Sequence, residues 1–513
     1  MKQIITIMLI ALLSITCFCF STALFAQTLP LSEPHLPDGS LYTRDGHDLR
    51  WLPGNSILRM AKDVNQSRKI VEIAQPVKAT QLEIVHTFIP GKPLDNWMAE
   101  VGLAHRENQI PPALPVVATY KVTYADSSTV NIPVRYQESI HNIHRVHEVG
   151  PMLWAEPVVS HTYDSQTGEK AVVYHMHWPN PRPKHPIIGI DIRANKTGKA
   201  AYGDLLILEV KALQKESVGK NYFVNRQPFG NDSNPGTFEQ PFHTLHKAIE
   251  VAQPGDNIYI RGGYYALDQP VKIDFNGEKD KWLTISAWTG ETPVLESYGV
   301  AFDYRTSNGV IQASGDPSYL RIQGLHIYHS RGAGISVNGK SDSGSAWGLT
   351  DHVEVNFNTI YHTNTMAIII HTVNDVKVIG NQVIRPHSIP MSVHWNTDEV
   401  TSFDHGSQEA IDLSRNKGFE IAFNQVYGGS KEAIDCISIE DGSIHHNYVH
   451  DCLNGIYIDS WSVPIRNLDI HHNFIHNAFN GIPLATEGSN DLYNIDIHHN
   501  IIIDSKSVGV GVN

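Results

Sequence analysis

The feature that most constrains this chain lies between Val353 and Asn513. Six times, a short alternating strand ends in Asn followed by an apolar pair or near pair: VEVNFNTI, VKVIGNQV, FEIAFNQV, GSIHHNYV, LDIHHNFI and IDIHHNII. The asparagines, Asn358, Asn381, Asn424, Asn447, Asn473 and Asn500, follow at steps of 23, 43, 23, 26 and 27 residues. Recurrence at this interval marks a stacked repeat, and the long step must carry an insertion of about 20 residues. A second strand follows in most repeats: EAIDLSR from Glu409, EAIDCIS from Glu432, GIYIDS from Gly455, GIPLAT from Gly481 and GVGVN from Gly509.

Units this short cannot bury an apolar face alone, so they must stack, with equivalent strands parallel and about 4.8 Å apart. The pattern predicts a parallel β-helix with residues aligned in columns. Ile411, Ile434, Ile456, Ile482 and Val510 form one inward column, and Leu413, Cys436, Ile458, Leu484 and Val512 the next. Alternation then sends the residues between them outward. The asparagines read as an internal ladder at a bend, where backbone groups lack sheet partners.

A chain of 513 residues, 41% hydrophobic and 18% charged, has the composition of a folded protein. Its net charge of −14 argues against nucleic acid or an anionic membrane as the main partner. Met1-Lys2, the apolar run Ile4 to Phe20 and small residues at Ser21, Ala23 and Ala26 have the layout of a secretory signal peptide. Residues 1–26 are therefore expected to be removed and the protein to be secreted, extracellular or periplasmic, with no membrane partner afterwards. Cys17 and Cys19 fall inside that segment. Cys436 is expected to be buried, and a bond from it to Cys452 stays open.

Residues 27–213 have no coil-length period. Alternating strands such as QLEIVHTFI, ATYKVTYADSSTVNIPVRY, AVVYHMHW and PIIGIDIR, broken by Pro and Gly, predict an antiparallel β-sandwich. This region resembles the galactose-binding-like modules attached to polysaccharide-degrading enzymes. Its Trp97, Trp154, Tyr163 and Trp178 read as core in preference to sugar platforms. A polar linker, 214–220, leads to residues 221–513, where a helix over His243 to Ala252 is expected to cover the first end of the solenoid. After GVGVN no cap follows, so the chain is expected to be a fragment or to have that end covered by another element.

The run Gly230-Asn231-Asp232-Ser233, the helix, and Pro254-Gly255-Asp256 leading to Arg261-Gly262-Gly263-Tyr264-Tyr265 resemble the opening segment of secreted right-handed parallel β-helix carbohydrate-active enzymes. These include pectate-lyase-like and chondroitinase-B-like lyases and β-helix glycosidases. The resemblance implies an all-β, pectin-lyase-like solenoid and a polysaccharide or oligosaccharide partner. It does not choose a reaction.

The outward columns carry the chemistry. One reads Ser336, Ile369, Asp412, Asp435, Tyr457 and Pro483; two residues on, it reads Asn338, His371, Ser414, Ile437, Asp459 and Ala485. Asp412 and Asp435 are thus expected one strand spacing apart, too close for both to ionise cheaply. In the leading reading, a glycoside hydrolase without a cofactor, Asp435 is the general acid with its proton held by Asp412, and Asp459 or Glu487 is the base or nucleophile. Tyr457 and Trp461 would stack on sugar rings, Arg415 would bond hydroxyls or a carboxylate, and the insertion Arg385 to Gly406, with His387 and Trp395, would wall the cleft. In a second reading, a calcium-dependent lyase, Glu409, Asp412, Glu432 and Asp435 hold the ion. The base then falls awkwardly to Lys431, Arg415 or Arg466, since Lys431 and Lys506 have no lysine between them. A third, noncatalytic reading rests on the repeated His-His-Asn, with His445, His471 and His498 stacked outward and His446, His472 and His499 at the bend, as a polar ladder or a metal surface.

Overall fold

The computed structural model describes residues 68–145, 150–164, 170–195, 201–215, 218–302, 308–341, 347–386, 409–429, 431–488 and 491–512, with five short strands between Phe25 and Met60. The apolar run Ile4 to Phe20 and, within the insertion, His387 and Trp395 lie outside the described residues. No helix among those described is long and apolar enough to cross a membrane.

The N-terminal region is built from antiparallel strands in two sheets. In the larger sheet, Gln81–Pro90 lies between Lys170–Pro179 and Gly203–Gln214; the smaller runs Arg68–Val77, Ile187–Ala194, Val116–Tyr124, Thr129–Arg135. Alternation in these strands sends Tyr120, Val122, Tyr124, Ile132 and Val134 into a shared core. Trp97, Trp154 and Trp178 are buried there as expected, and the side chain of Tyr163 is outside the described residues.

A helix the sequence reading did not anticipate, Lys92–Arg106, follows Gly91 with a proline in its first turn. It buries Leu94, Trp97 and Ala104 at helical spacing. Its Trp97 Nε1 donates to Ala113 O at 3.1 Å.

From Asn221 the chain winds as a parallel β-helix with three faces. The first face runs from Asn221–Val224 to Leu492–His498, the second from Gly263–Ala266 to Ile501–Ile503, and the third from Val271–Asn276 to Val510–Val512. The predicted inward columns hold in register, Ile411 to Ile434 to Ile456 and Leu413 to Cys436 to Ile458, all fully buried. Cys436 is accordingly a core residue, and Cys436 and Cys452 are both free thiols.

The asparagine ladder sits at the bend between first and second faces. From Asn381 on, each Asn Oδ1 accepts from the backbone N–H and the amide of the Asn one coil earlier: Asn381 takes both from Asn358 at 2.9 and 3.1 Å, and Asn424 both from Asn381 at 2.9 and 3.0 Å. Each amide also donates to a carbonyl of the coil before, as Asn424 does to Val378 O at 2.8 Å. The residue preceding each Asn, from Phe357 (φ 57°) through Phe423 (58°) to His499 (53°), is left-handed, which turns the strand at the bend.

The capping helix is Leu245–Val251, shorter than His243 to Ala252 because Thr244 caps it. Asp232 fixes that cap, accepting from the N–H groups of His243 and Thr244 and from the Thr244 hydroxyl, each at 2.8 Å.

The sandwich is not tethered loosely. Its core continues into outward aromatics of the first coils, Phe223, Tyr259 and Trp288, with Trp178 and Trp288 edge to face at 6.3 Å. Farther along, Asn108 Nδ2 donates to Asp451 Oδ2 at 3.2 Å, and Arg135 to Thr292 Oγ1 at 2.8 Å.

Candidate active site

The third face brings the predicted acids together. Strands Ile368–His371, Ile411–Ser414, Glu432–Ile437, Tyr448–Asp459 and Ile482–Ala485 pair in parallel, aligning Ile369, Asp412, Asp435 and Tyr457, and beside them His371, Ser414, Ile437, Asp459 and Ala485. Alternation against the apolar columns places Asp412, Asp435 and Asp459 on the outer side of this face. Register alone puts Asp435 one strand spacing from Asp412, and about 8 Å, backbone to backbone, from Asp459.

These acids do not line an open surface, as the sequence reading expected. Asp412, Asp435 and Asp459 are 3%, 2% and 2% exposed. Ile369, fully buried with Ala333 and Met366 in a small outer apolar cluster, lies directly before Asp412 in the column. Tyr457, half-buried, follows Asp435. Burial in such surroundings disfavours the charged form of a carboxyl. It pushes Asp435 well above the ordinary carboxylate range, reinforced by Asp412, Glu409, Glu432 and Asp459.

The partner of Asp412 also differs from expectation. His371 Nε2 lies 2.6 Å from Asp412 Oδ2. Burial pulls the His371 pKa down, but the Asp412 carboxylate outweighs it and leaves the imidazole raised above its ordinary value. The contact with Asp412 thus favours the protonated form of His371, and burial among neighbouring acids favours the protonated form of Asp435. His371 was visible in the adjacent column, but its diagonal reach to Asp412 was not.

Glu409 and Glu432 precede Asp412 and Asp435 and are buried as well. Burial, then Asp412, raises Glu409 to about 8, and burial raises Glu432. Glu432 Oε1 accepts from Asn454 Nδ2 at 3.0 Å, and Asn454 Oδ1 accepts from Asn480 Nδ2 at 2.8 Å.

On the other side, Tyr457 donates its hydroxyl to Glu487 Oε1 at 2.5 Å, and the Glu487 N–H donates to Asp459 Oδ1 at 3.2 Å. Burial raises the Asp459 pKa, opposed by that N–H. Gly488 fixes this turn against the preceding coil, because a Cβ there would stand 1.6 Å from Trp461 O. Trp461 is 56% exposed beside it. Arg415, just past Ser414, is exposed and close enough to His371 to oppose its charge. Arg466 belongs to the first face, over the Tyr493 ring at 5.3 Å, which removes it as a base for these acids. Trp395 lies outside the described residues.

Glu409 Oε2, Asp412 Oδ1, Glu432 Oε2 and Asp435 Oδ1 are buried without a hydrogen-bond partner, which suits a hard cation. Yet no group of three or more His, Cys, Asp or Glu side chains among the described residues is arranged to hold a metal. As placed, the four carboxylates do not form an ion site.

The histidine pairs form a polar ladder. His445, His471 and His498 stack at 4.9 and 5.1 Å, and His446, His472 and His499 at 5.1 and 5.0 Å. Within each coil the two Nδ1 atoms are 2.9, 2.8 and 2.6 Å apart, a hydrogen bond between imidazoles.

A family model described as "Pel9A-like, right handed beta helix region" matches residues 222–364, and one described as "Right handed beta helix region" matches residues 308–502. The chain is 27% identical over 239 residues to the uncharacterized protein YwoF of Bacillus subtilis, covering 45% of this chain and 47% of that protein. It is 34% identical over 117 residues to pectate lyase L of Paenibacillus polymyxa, covering 22% of this chain and 25% of that protein. The chain thus spans half or less of the length of these relatives. Similar solved structures include XylC with xylose (14% identity, TM-score 0.37, 55% of this chain and 66% of that one) and pectate lyase Pel9A (12%, 0.33, 57% and 79%).

Proposed function

We propose that this right-handed, pectin-lyase-like β-helix is a glycoside hydrolase that cleaves a polysaccharide or oligosaccharide outside the cytoplasm. The location rests on the leader-like residues 1–26 alone. The reaction is supported by one observation: Asp435, buried among acids that favour its protonated form, lies beside an Asp412 hydrogen-bonded to His371. A carboxyl whose protonated form is favoured by burial is what the acid role requires.

Asp435 would give its proton to the glycosidic oxygen as the bond to the anomeric carbon breaks. Asp459, or Glu487 held by Tyr457, would then attack that carbon or take a proton from the attacking water. The backbone separation of about 8 Å between Asp435 and Asp459 suits carboxyls that must stand about 5 to 9.5 Å apart across the bond. Trp461 and Tyr457 offer ring faces to sugars.

Asp435→Asn and Asp459→Asn, with folding checked by circular dichroism, test the assignment. Each is expected to lose new reducing ends by a factor of at least about 100 on a glycan the parent chain cleaves; full activity in both would remove it. The second reading, a lyase, is favoured by Lys431, whose Nζ is 3.8 Å from Glu432 Oε1. Absorbance from an unsaturated product would select it instead.

A further inference from the structure

The last turn of the helix Lys92–Arg106 sits on the second face of the solenoid, away from the acids of the third. Its His105 ring lies 4.9 Å from the ring of Tyr427 and 6.0 Å from that of Tyr448. His450 follows Tyr427 one coil later in the same outward column and stacks on it at 4.9 Å, with Tyr448 at 5.0 Å. Tyr427 and His450 are both buried. The residues after the helix fasten to the same spot. Asn108 Nδ2 donates to Asp451 Oδ2 at 3.2 Å, the Tyr427 hydroxyl to Gln109 O at 3.3 Å, and Arg385 Nη2 to Glu107 O at 3.2 Å.

Two nitrogens in this seat have nothing to bond. His105 Nε2 and His450 Nε2 are buried, and neither has a hydrogen-bond partner. In a neutral ring with its proton on Nδ1, such a nitrogen is only an idle acceptor; His450 Nδ1 lies 3.2 Å from Asp451 Oδ2, where that proton is held. A charged ring would have to bury an N–H without an acceptor, and a positive charge with it. Some surroundings favour the cation: Asp451 and the negative end of the helix dipole. Asp451, however, already accepts from Asn108 and from Asn477. Others oppose it: Arg106 adjoins His105, Arg385 reaches Glu107, and His476, itself 3.3 Å from Asp504, follows His450 in the column. Burial, then repulsion from His450, pulls His105 down to about 4, and at His450 burial outweighs Asp451.

We propose that this seat is an acid-released latch: the end of the helix stays on the second face while His105 and His450 are neutral and lifts away when they take protons. Once lifted, both rings reach water and charge freely, so each proton bound favours the released form. A histidine whose docked pKa is depressed costs nothing above its free value near 6.5, and costs more as pH falls from there toward the docked value. With His105 docked at about 4, release falls between those two limits. Tyr427 and Tyr448 would then be uncovered. The contact at Tyr259 lies five strand spacings away, roughly 24 Å along the axis, so the two domains stay joined while the helix lifts. None of this depends on the hydrolase reading.

Hydrogen–deuterium exchange of the intact chain tests the latch, with parent and variant compared at the same pH so that the intrinsic exchange rate cancels. His105→Phe and His450→Phe each keep a ring in the stack and cannot take the proton. At about pH 7 the parent and His105→Phe should protect the helix alike, and at about pH 4.5 the parent should exchange there about tenfold faster. The inward strands of the solenoid should stay protected in both. His450→Phe carries the comparison if His105→Phe fails to fold. The proposal is overturned if parent and variant exchange alike in the helix at the lower pH, or if the parent loses protection along the whole chain at once, which would be acid unfolding without a latch.

Discussion

Replacing Asn424 by Ala tests whether the ladder holds the coils together or merely decorates the bend. The Asn424 side chain is fully buried and accepts from the Asn381 backbone N–H at 2.9 Å and the Asn381 amide at 3.0 Å. It donates to Val378 O at 2.8 Å and to Asn447 Oδ1 at 3.0 Å. Asn381 Nδ2 keeps Val355 O, and Asn447 Oδ1 keeps the Asn424 N–H. Truncation thus strips the side-chain partner from two backbone groups, the Asn381 N–H and the Val378 carbonyl. At about 1 to 3 kcal/mol for each buried orphan, the loss is about 2 to 6 kcal/mol, toward the lower end if a water enters the gap. Asn500 makes the same acceptor bonds, from the Asn473 N–H and amide at 2.9 Å each, but is only half-buried, so water can replace it and Asn500→Ala should cost less. The midpoint of urea unfolding, followed by circular dichroism and by protease sensitivity of the middle coils, reads the difference. Equal costs at Asn424 and Asn500, or a loss under about 1 kcal/mol at Asn424, would refute the argument.

Two pH predictions follow from the acid site. The raised pKa of His371 adds stability that is complete below its unfolded value near 6.5 and is lost as pH rises through the higher folded value; the advantage of the parent chain over His371→Gln should therefore be larger at about pH 6 than at about pH 9, and a constant difference would contradict the pairing with Asp412. Glu409, at about 8 against an ordinary 4.5, likewise stabilises the fold while protonated and loses that contribution as pH rises toward 8. Glu409→Gln should thus be more stable than the parent chain in alkali, by several kcal/mol at most, and no gain in thermal midpoint at about pH 9 would show that Glu409 ionises freely.

The columns were legible because strand alternation and the asparagines fix register, and because the insertion after Arg385 falls in a turn without shifting the strands that follow it. That is why Asp412, Asp435 and Asp459 were placed beside one another from spacing alone. Exposure was not legible, since whether an outward acid meets water depends on neighbours such as Ile369 and Tyr457 that belong to other coils. The pairing of His371 with Asp412 spans 41 residues and runs diagonally between columns, so neither column announced it. Arg466 was misjudged because a residue's face depends on which of three strands in its coil it occupies. The helix Lys92–Arg106 carried its own signal, a proline in the first turn and apolar residues at Leu94, Trp97, Val101 and Ala104, hidden among strand-like neighbours.

The sandwich decides which part of the solenoid is left uncovered. Its contacts through Phe223, Tyr259 and Trp288, the bonds to Thr292 and Asp451, and the packing of Gly150 against Phe423 fall on the first two faces or the bends beside them. The acids stand on the third. A domain docked in this way is a wall of the solenoid, and cutting the chain at the polar linker would expose three large aromatics that are 2%, 7% and 2% exposed in Phe223, Tyr259 and Trp288. Each such side chain buries about 150 to 250 Å², so even with mutual shielding the uncovered patch would reach the several hundred Å² at which monomers begin to associate. Residues 214–513 produced alone are therefore expected to aggregate or self-associate in size-exclusion chromatography, and substituting the three aromatics together by Ser, Thr and Gln should restore a monomer. A soluble, monomeric solenoid without those substitutions would mean that the sandwich is an appendage and that the exposed face must be argued on other grounds.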